Sequence, residues 1–193
     1  MITEQFDLPI LRWIAAHLHS PFGDAIMPAV TFLGDGGWIW IVLALALLCI
    51  PQYRKTGLTM ATALLMGLVV CNLILKPLVG RMRPFDYEFL HFGNLIQLLI
   101  EAPTDFSFPS GHTIASVEAA AVLLLHDKRL GIPASILAFL IACSRLYLYV
   151  HYPTDVLASV ALGIGIAYLA NRFINKGYPL LIHYFKRKKE KLT

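Results

Sequence analysis

The chain reads as an all-α polytopic membrane helix bundle with six transmembrane helices and a surface helix in a long external loop. Three observations carry that reading. Of 193 residues, 58% are apolar and only 15% charged, too few polar side chains to cover a soluble domain of this size. Four stretches, residues 57–79, 111–126, 131–150 and 153–174, meet or approach the roughly 20 apolar residues that cross a hydrocarbon core. Basic residues, finally, gather in alternate connections. Cytosolic enzymes, disordered regulators and coiled coils are thereby excluded, and a single domain over residues 1–193 is expected.

The N-terminal third is read as two spans. Met1-Ile-Thr-Glu-Gln-Phe-Asp7 carries acids where a signal peptide carries bases, so the first helix is expected to be retained. Residues 6–33 are apolar but interrupted by His17, His19, Ser20 and Pro21, a pattern of one span bent near Pro21. Residues 38–50 form a short second span, set off by Gly34-Asp35-Gly36-Gly37, whose glycines disfavour a continuous helix. The alternative is an interfacial helix over 3–19 and one long span over 22–50, giving five crossings. The remaining spans are the four apolar stretches. Cys49, Cys71 and Cys143 lie in separate apolar segments and read as packing residues. Ser159, Gly163 and Ala167 form a small-residue stripe suited to close helix contact. Trp38, Trp40, Tyr147, Tyr149 and Tyr152 read as interfacial anchors.

Orientation follows from the short loops. Arg54 and Lys55 follow the second span, Lys128 and Arg129 separate the fourth and fifth, and Lys186-Arg187-Lys188-Lys189 opens a basic tail, residues 186–193. By the positive-inside rule this side is cytoplasmic. The tail is expected to meet anionic lipid heads, not nucleic acid. The external face then carries the long connection 80–109 and shorter ones around Gly34 and His151. Within the long one, residues 88–100 are too short to span but apolar enough to lie on the membrane surface, as a lid, a lipid-entry element or a packed loop helix.

Ionisable groups inside apolar spans are costly and by default functional. Lys76, His112, Glu118, Arg145 and Asp155 are such groups, with Arg83 and His151 just outside their spans; all but Glu118 fall at the external ends. Three bases, two histidines and one carboxylate at one face compose a site for a multiply charged anion. Pro109-Ser110-Gly111-His112 opens a helix, with Ser110 suited to the N-cap and Gly111 leaving room for an oxyanion near backbone N–H groups. Pro153 suits a first helical turn, which leaves His151 in the preceding turn and Asp155 near enough to fix its tautomer. Asp86, Glu88, Glu101 and Asp105 are scattered through the loop, so no metal site is expected. His17, His19, His91, His126 and His183 have no partner pattern, and Glu118 stays outside the expected site.

Lys76-x6-Arg83-Pro84, Pro109-Ser110-Gly111-His112 and Ser144-Arg145-x5-His151-x3-Asp155 together resemble the three-part signature of the type 2 phosphatidic acid phosphatase superfamily of integral membrane lipid phosphatases. No catalytic position departs from it, and the flanking helices match the family's six-helix plan. The resemblance implies a phosphohydrolase without metal or other cofactor. His151 would form a phosphohistidine, Asp155 would hold its tautomer, and His112 would protonate the leaving oxygen and then activate water. Lys76, Arg83, Ser110, Gly111 and Arg145 would bind the phosphate oxygens.

The implied partners are membrane lipids and a lipid phosphate or diphosphate, foremost undecaprenyl diphosphate, with phosphatidylglycerophosphate or phosphatidic acid as the alternative. The motifs read phosphate and leave the lipid open. The implied location is the plasma membrane, with an external active site. An anion transporter is the competing class, but transporters place charges near the midplane, often within symmetric halves, and neither feature occurs here. A catalytically dead lipid-binding relative is disfavoured by the complete motif set.

Overall fold

The computed structural model describes the backbone of residues 3–190 and the side chains of residues 3–178. The basic tail, residues 186–193, lies outside the described side chains, and its last three residues lie outside the described backbone. Among the described residues the chain is helical and irregular, without strands. A π-helical turn, Thr3–Asp7, leads into α1 (Leu8–His17), followed by α2 (Pro21–Phe32) and α3 (Trp38–Cys49). Helix α4 (Arg54–Leu68) runs through a π-helical stretch, Val69–Leu75, into the short α5 (Lys76–Val79). Then come α6 (Pro84–Phe92), α7 (Gly111–His126), α8 (Lys128–Tyr147) and α9 (Pro153–Glu190).

Each boundary has a local cause. Ser20 caps α2 by accepting from Gly23 N at 3.1 Å, with Pro21 pre-set for the first turn. Gly36 and Gly37, both at positive φ, make the turn that bends α2 from α3 by 41°. Asp127 ends α7 and caps α8 by accepting from Arg129 N at 2.9 Å. Gly93, at φ +70°, stops α6. That stop corrects the expectation of a surface helix over 88–100: the helix spans 84–92 and residues 93–110 are irregular, because a left-handed glycine ends it.

Three helical stretches, lying within Pro51–Phe92, Lys128–Tyr147 and Pro153–Tyr178, are long and apolar enough to cross a membrane. The bent pair α2–α3 makes a fourth, and α7 is apolar but only 16 residues long. Helix α7 is the hub, packed on α4, α8 and α9. The core it centres is built largely of small side chains, among them Ala63, Ala119, Ala120, Ala138, Ala167 and Ala170, filled in by Met60, Ile114, Leu123 and Ile141. Small residues let helix backbones approach, the means of association available where lipid competes for apolar contacts. Leu65, Leu73, Ile136, Phe139, Leu157 and Phe173 point outward. Cys71 is buried and Cys143 half-buried, as expected of packing residues, whereas Cys49 is exposed.

The aromatic anchors need correction. Trp40, Tyr147, Tyr149 and Tyr152 are buried. Trp40 donates to Ser116 Oγ at 3.0 Å, and Leu8 and Leu11 of α1 cover Tyr149 and Tyr152. The tyrosines are interior because α1 and α2 lie over the α8–α9 turn. Arg12 pairs with Glu88, His19 stacks on Tyr147, and Asp24 accepts from the Tyr147 hydroxyl at 2.7 Å. At the opposite end of the bundle, Tyr53 donates to Asp127 at 3.0 Å, and Thr56 and Asn171 each lie 3.1 Å from a ring nitrogen of His126.

Helices α7 and α8 cross closely at Gly131, where a Cβ would stand 2.5 Å from the Leu124 backbone. Gly131→Ala therefore pushes α7 and α8 apart at a cost of about 1–3 kcal/mol, the range for overpacked sites. A lower melting temperature in detergent is expected, and an unchanged one contradicts this packing.

Candidate active site

The π-helical stretch and the break at Gly80 (φ +57°) aim the end of α4–α5 inward. Lys76 opens α5, residues 80–83 run on without helix, and Arg83 comes back beside it. Both cations meet the carboxylate of Asp105, Lys76 at Oδ2 and Arg83 at Oδ1. Arg83 also donates from Nε to the Asp105 carbonyl at 2.8 Å and from Nη1 to the Val150 carbonyl at 2.7 Å. Arg145, from the last turn of α8, is buried. It donates to Thr31 Oγ1 of α2, while its Nε has no partner among the described residues. A guanidinium is suited to hold an anion's oxygens by charge-assisted hydrogen bonds.

His151 sits in the α8–α9 turn, fully buried. Its Nε2 lies 3.4 Å from Arg83 Nη1 on the cavity side, and its Nδ1 lies 3.6 Å from Asp155 Oδ2. Burial drives its pKa down to about 3; Asp155 opposes that shift, and the charges of Arg145 and Arg83 add to it. Asp155, in the first turn of α9, is fixed from three directions. Oδ2 accepts from Ser107 Oγ and from Tyr152 N at 3.0 Å, and Oδ1 pairs with Arg81. Arg81 lies 3.9 Å over the Tyr152 ring and reaches on to the buried Asp7 at 2.6 Å, which accepts in turn from Thr154 N at 3.0 Å. The N-terminal segment is thereby tied to the turn that carries His151.

Helix α7 brings the third group. Ser110 caps it, accepting from Thr113 N at 3.4 Å and from Thr113 Oγ1 at 2.9 Å. The Ser110 N–H donates to Ser159 Oγ at 2.8 Å, and Ser159 donates to the Asp155 carbonyl at 2.7 Å. Ser159 thus links the two motif segments as well as packing, which the stripe reading missed. Gly111 leaves its flank open: a Cβ there would meet nothing nearer than Cys71 Sγ at 3.7 Å. His112 Nε2 lies 2.7 Å from Asp35 Oδ1, in the glycine-rich turn between α2 and α3.

Lys76, Arg83, Gly111, His112, Arg145 and His151 line one cavity of about 840 Å³. Ser110 and Asp155 are fully buried and do not line it; they hold the residues that do. Glu118 also lines the cavity, lower down and with no hydrogen-bond partner for Oε2 among the described residues. Beyond the polar end, the walls are apolar side chains of α3 and α4, including Ile41, Ala44, Leu45, Leu64 and Leu68. Among the described residues no group of three or more His, Cys, Asp or Glu side chains is placed to hold a metal. The sequence reading missed Asp35, Arg81, Asp105 and Ser107. Their only sequence signal is a polar side chain within a few residues of a motif or a glycine turn. Chemically, the cavity offers three fixed cations, a neutral imidazole with one nitrogen open to them and a second imidazole backed by a carboxylate, a set suited to nucleophilic displacement at phosphorus.

Residues 56–179 match the PAP2 superfamily, and the chain belongs to it. It is a membrane phosphatase of that superfamily. An undecaprenyl-diphosphatase of Sulfolobus acidocaldarius is 35% identical over 77% of this chain and 70% of its own length. The undecaprenyl-diphosphatase BcrC of Bacillus subtilis is 30% identical over 91% of this chain and 89% of its own. Among solved structures, LpxE of Aquifex aeolicus superposes with a TM-score of 0.73 at 26% identity, covering 89% of this chain and 99% of that one.

With a pKa far below the usual value of about 6.5, His151 is expected to be neutral near neutral pH. An NMR titration of ¹⁵N-histidine-labelled protein is expected to find its ring unprotonated from about pH 8 to about pH 5, so that any fall in rate over that interval belongs to another group. Protonation of His151 with a midpoint near the ordinary value contradicts the geometry.

Proposed function

We propose that the chain hydrolyses the terminal phosphate of a membrane lipid without a metal, through a phosphohistidine on His151, and that undecaprenyl diphosphate is its substrate. The observation that carries this reading is the division of labour on His151: Nδ1 faces Asp155 and Nε2 faces Arg83 and the open cavity. Nε2 attacks phosphorus in line while the bond to the leaving oxygen breaks, and His112 gives that oxygen its proton. Asp35 now accepts from His112 Nε2; the leaving oxygen takes its place. His112, left neutral, accepts a proton from the water that attacks the phosphohistidine, and inorganic phosphate departs. Asp155 stabilises the positive charge on the His151 ring between the two steps. Lys76, Arg83, Arg145 and the Gly111 N–H bind the equatorial oxygens, as a metal does elsewhere, and Ser110 holds the start of α7 against them.

Substrate class rests on the cavity and on kinship. The apolar walls between α3 and α4 continue from the phosphate end and suit a lipid chain. The two relatives that act as undecaprenyl-diphosphatases favour the diphosphate over the alternatives, phosphatidylglycerophosphate and phosphatidic acid. The basic turns at Arg54–Lys55 and Lys128–Arg129 lie at the end of the bundle away from the cavity, which supports a site on the external face and a cytoplasmic tail. Six crossings were expected. The docking of α1 and α2 at the cavity end favours the alternative instead, with α1 on the external surface and α2–α3 as one broken span.

His151→Ala is expected to abolish both turnover and acid-quenched phosphoenzyme. Asp155→Asn should keep substrate binding and lose about 10²-fold or more in rate, as misoriented histidines do. Wild-type turnover in either variant refutes the assignment. Purified protein assayed side by side on the three lipids in EDTA should release phosphate fastest from undecaprenyl diphosphate. Loss of activity in EDTA with rescue by magnesium rules out the metal-free route, and a preference for phosphatidylglycerophosphate or phosphatidic acid moves the substrate to that lipid.

A further inference from the structure

We propose that Asp105 is a specificity-determining residue: its carboxylate is the resident ligand of Lys76 and Arg83, and a phosphate group enters only by displacing it. This rests on the reading of the cavity as a phosphate site. Both carboxylate oxygens are engaged, one by each cation, and the Asp105 carbonyl receives Arg83 Nε at 2.8 Å. The Lys76 and Arg83 side chains are 11% and 4% exposed, against 52% for Asp105, which stands on the irregular segment after Gly93. Of the three, the carboxylate is the one free to swing out, while the cations stay fixed.

The carboxylate stays charged. Burial pushes its pKa up, but the hydrogen bonds and charges of Lys76 and Arg83 outweigh that and hold it at about 2. A competitor for this place must therefore better a monoanion. A phosphodiester carries one negative charge and gains little over Asp105 in the field of two cations. A terminal phosphate carries about −1.5 to −2 with three acceptor oxygens, so it takes the cations and leaves Asp105 to solvent. The bilayer surface around the site is crowded with diester headgroups, and the exchange keeps them out. A second carboxylate, half-exposed Asp35, covers His112 Nε2 in the same way. Lys76, Arg83 and the His112 ring are thus engaged by carboxylates that a dianionic ligand replaces.

The test is isothermal titration calorimetry on the full chain in detergent, with inorganic phosphate and dimethyl phosphate as probes at about pH 8, where phosphate is mainly a dianion. No turnover is needed, so the result stands apart from the proposed reaction. The wild type is expected to bind phosphate and to bind dimethyl phosphate far more weakly. Asp105→Asn, and Asp105→Ala as a second replacement, should bind dimethyl phosphate at least about tenfold more tightly and narrow the preference for phosphate. Dimethyl phosphate affinity unchanged or weakened in both variants overturns the proposal, because Asp105 would then be orienting the cations instead of competing for them. A wild type that binds no phosphate overturns it as well. The expected calorimetry in a protein that releases no phosphate from lipid monoesters or diphosphates would leave the exchange standing and remove the enzymatic reading.

Discussion

Lys76, Arg83 and Arg145 are gathered in one largely buried cavity, and the mutual repulsion of these three cations is the constraint that the surrounding structure is built to contain. An uncompensated buried charge costs several kcal/mol. The protein meets that cost with acceptors brought from distant segments: the Asp105 carboxylate, the Val150 carbonyl and the Thr31 hydroxyl. Arg145 Nε has no such partner among the described residues. Cations already gathered in this way need only exchange their side-chain acceptors for those of an anion, and preorganised charge is the largest single contribution to most phosphoryl-transfer catalysis.

The α8–α9 turn that carries His151 is secured by a second electrostatic chain that does not touch the cavity. Asp7, Arg81 and Asp155 alternate in sign and are largely buried, with Thr154 and Ser107 completing their hydrogen bonds. Arg81 is shared by the two carboxylates and fixes the orientation of Asp155 beside His151. The N-terminal segment has a purpose in this arrangement. Its helices cover the α8–α9 turn and exclude water from the side of His151 opposite the cavity.

Much of this was legible in the sequence, for a physical reason. Charged residues in apolar spans are so costly that they could be picked out singly, and Lys76, Arg83, Gly111, His112, Arg145 and His151 do converge on one cavity. The Ser110 cap and the Pro153 helix start were legible because capping is decided within a turn or two of chain. What escaped the sequence was every contact made at long range by an ordinary polar residue. Asp35 reaches His112 across 77 positions, Arg81 reaches Asp155 across 74, and Ser107 reaches Asp155 across 48. None of the three sits in an apolar span, so none is anomalous in the sequence. The tyrosines 147, 149 and 152 were misread for the converse reason: an aromatic at a helix end looks alike whether lipid or another helix covers it, and here α1 and α2 do.

The most direct test of the central claim, that separate helices assemble an anion pocket around a nucleophilic His151, is a structure of the protein with orthovanadate bound. The account predicts vanadium joined to His151 Nε2, its equatorial oxygens held by Lys76, Arg83, Arg145 and the Gly111 N–H, the apical oxygen toward His112, and Asp105 and Asp35 turned away. Vanadate bound elsewhere, or bound in the cavity through Asp105 and a metal with His151 untouched, would contradict it.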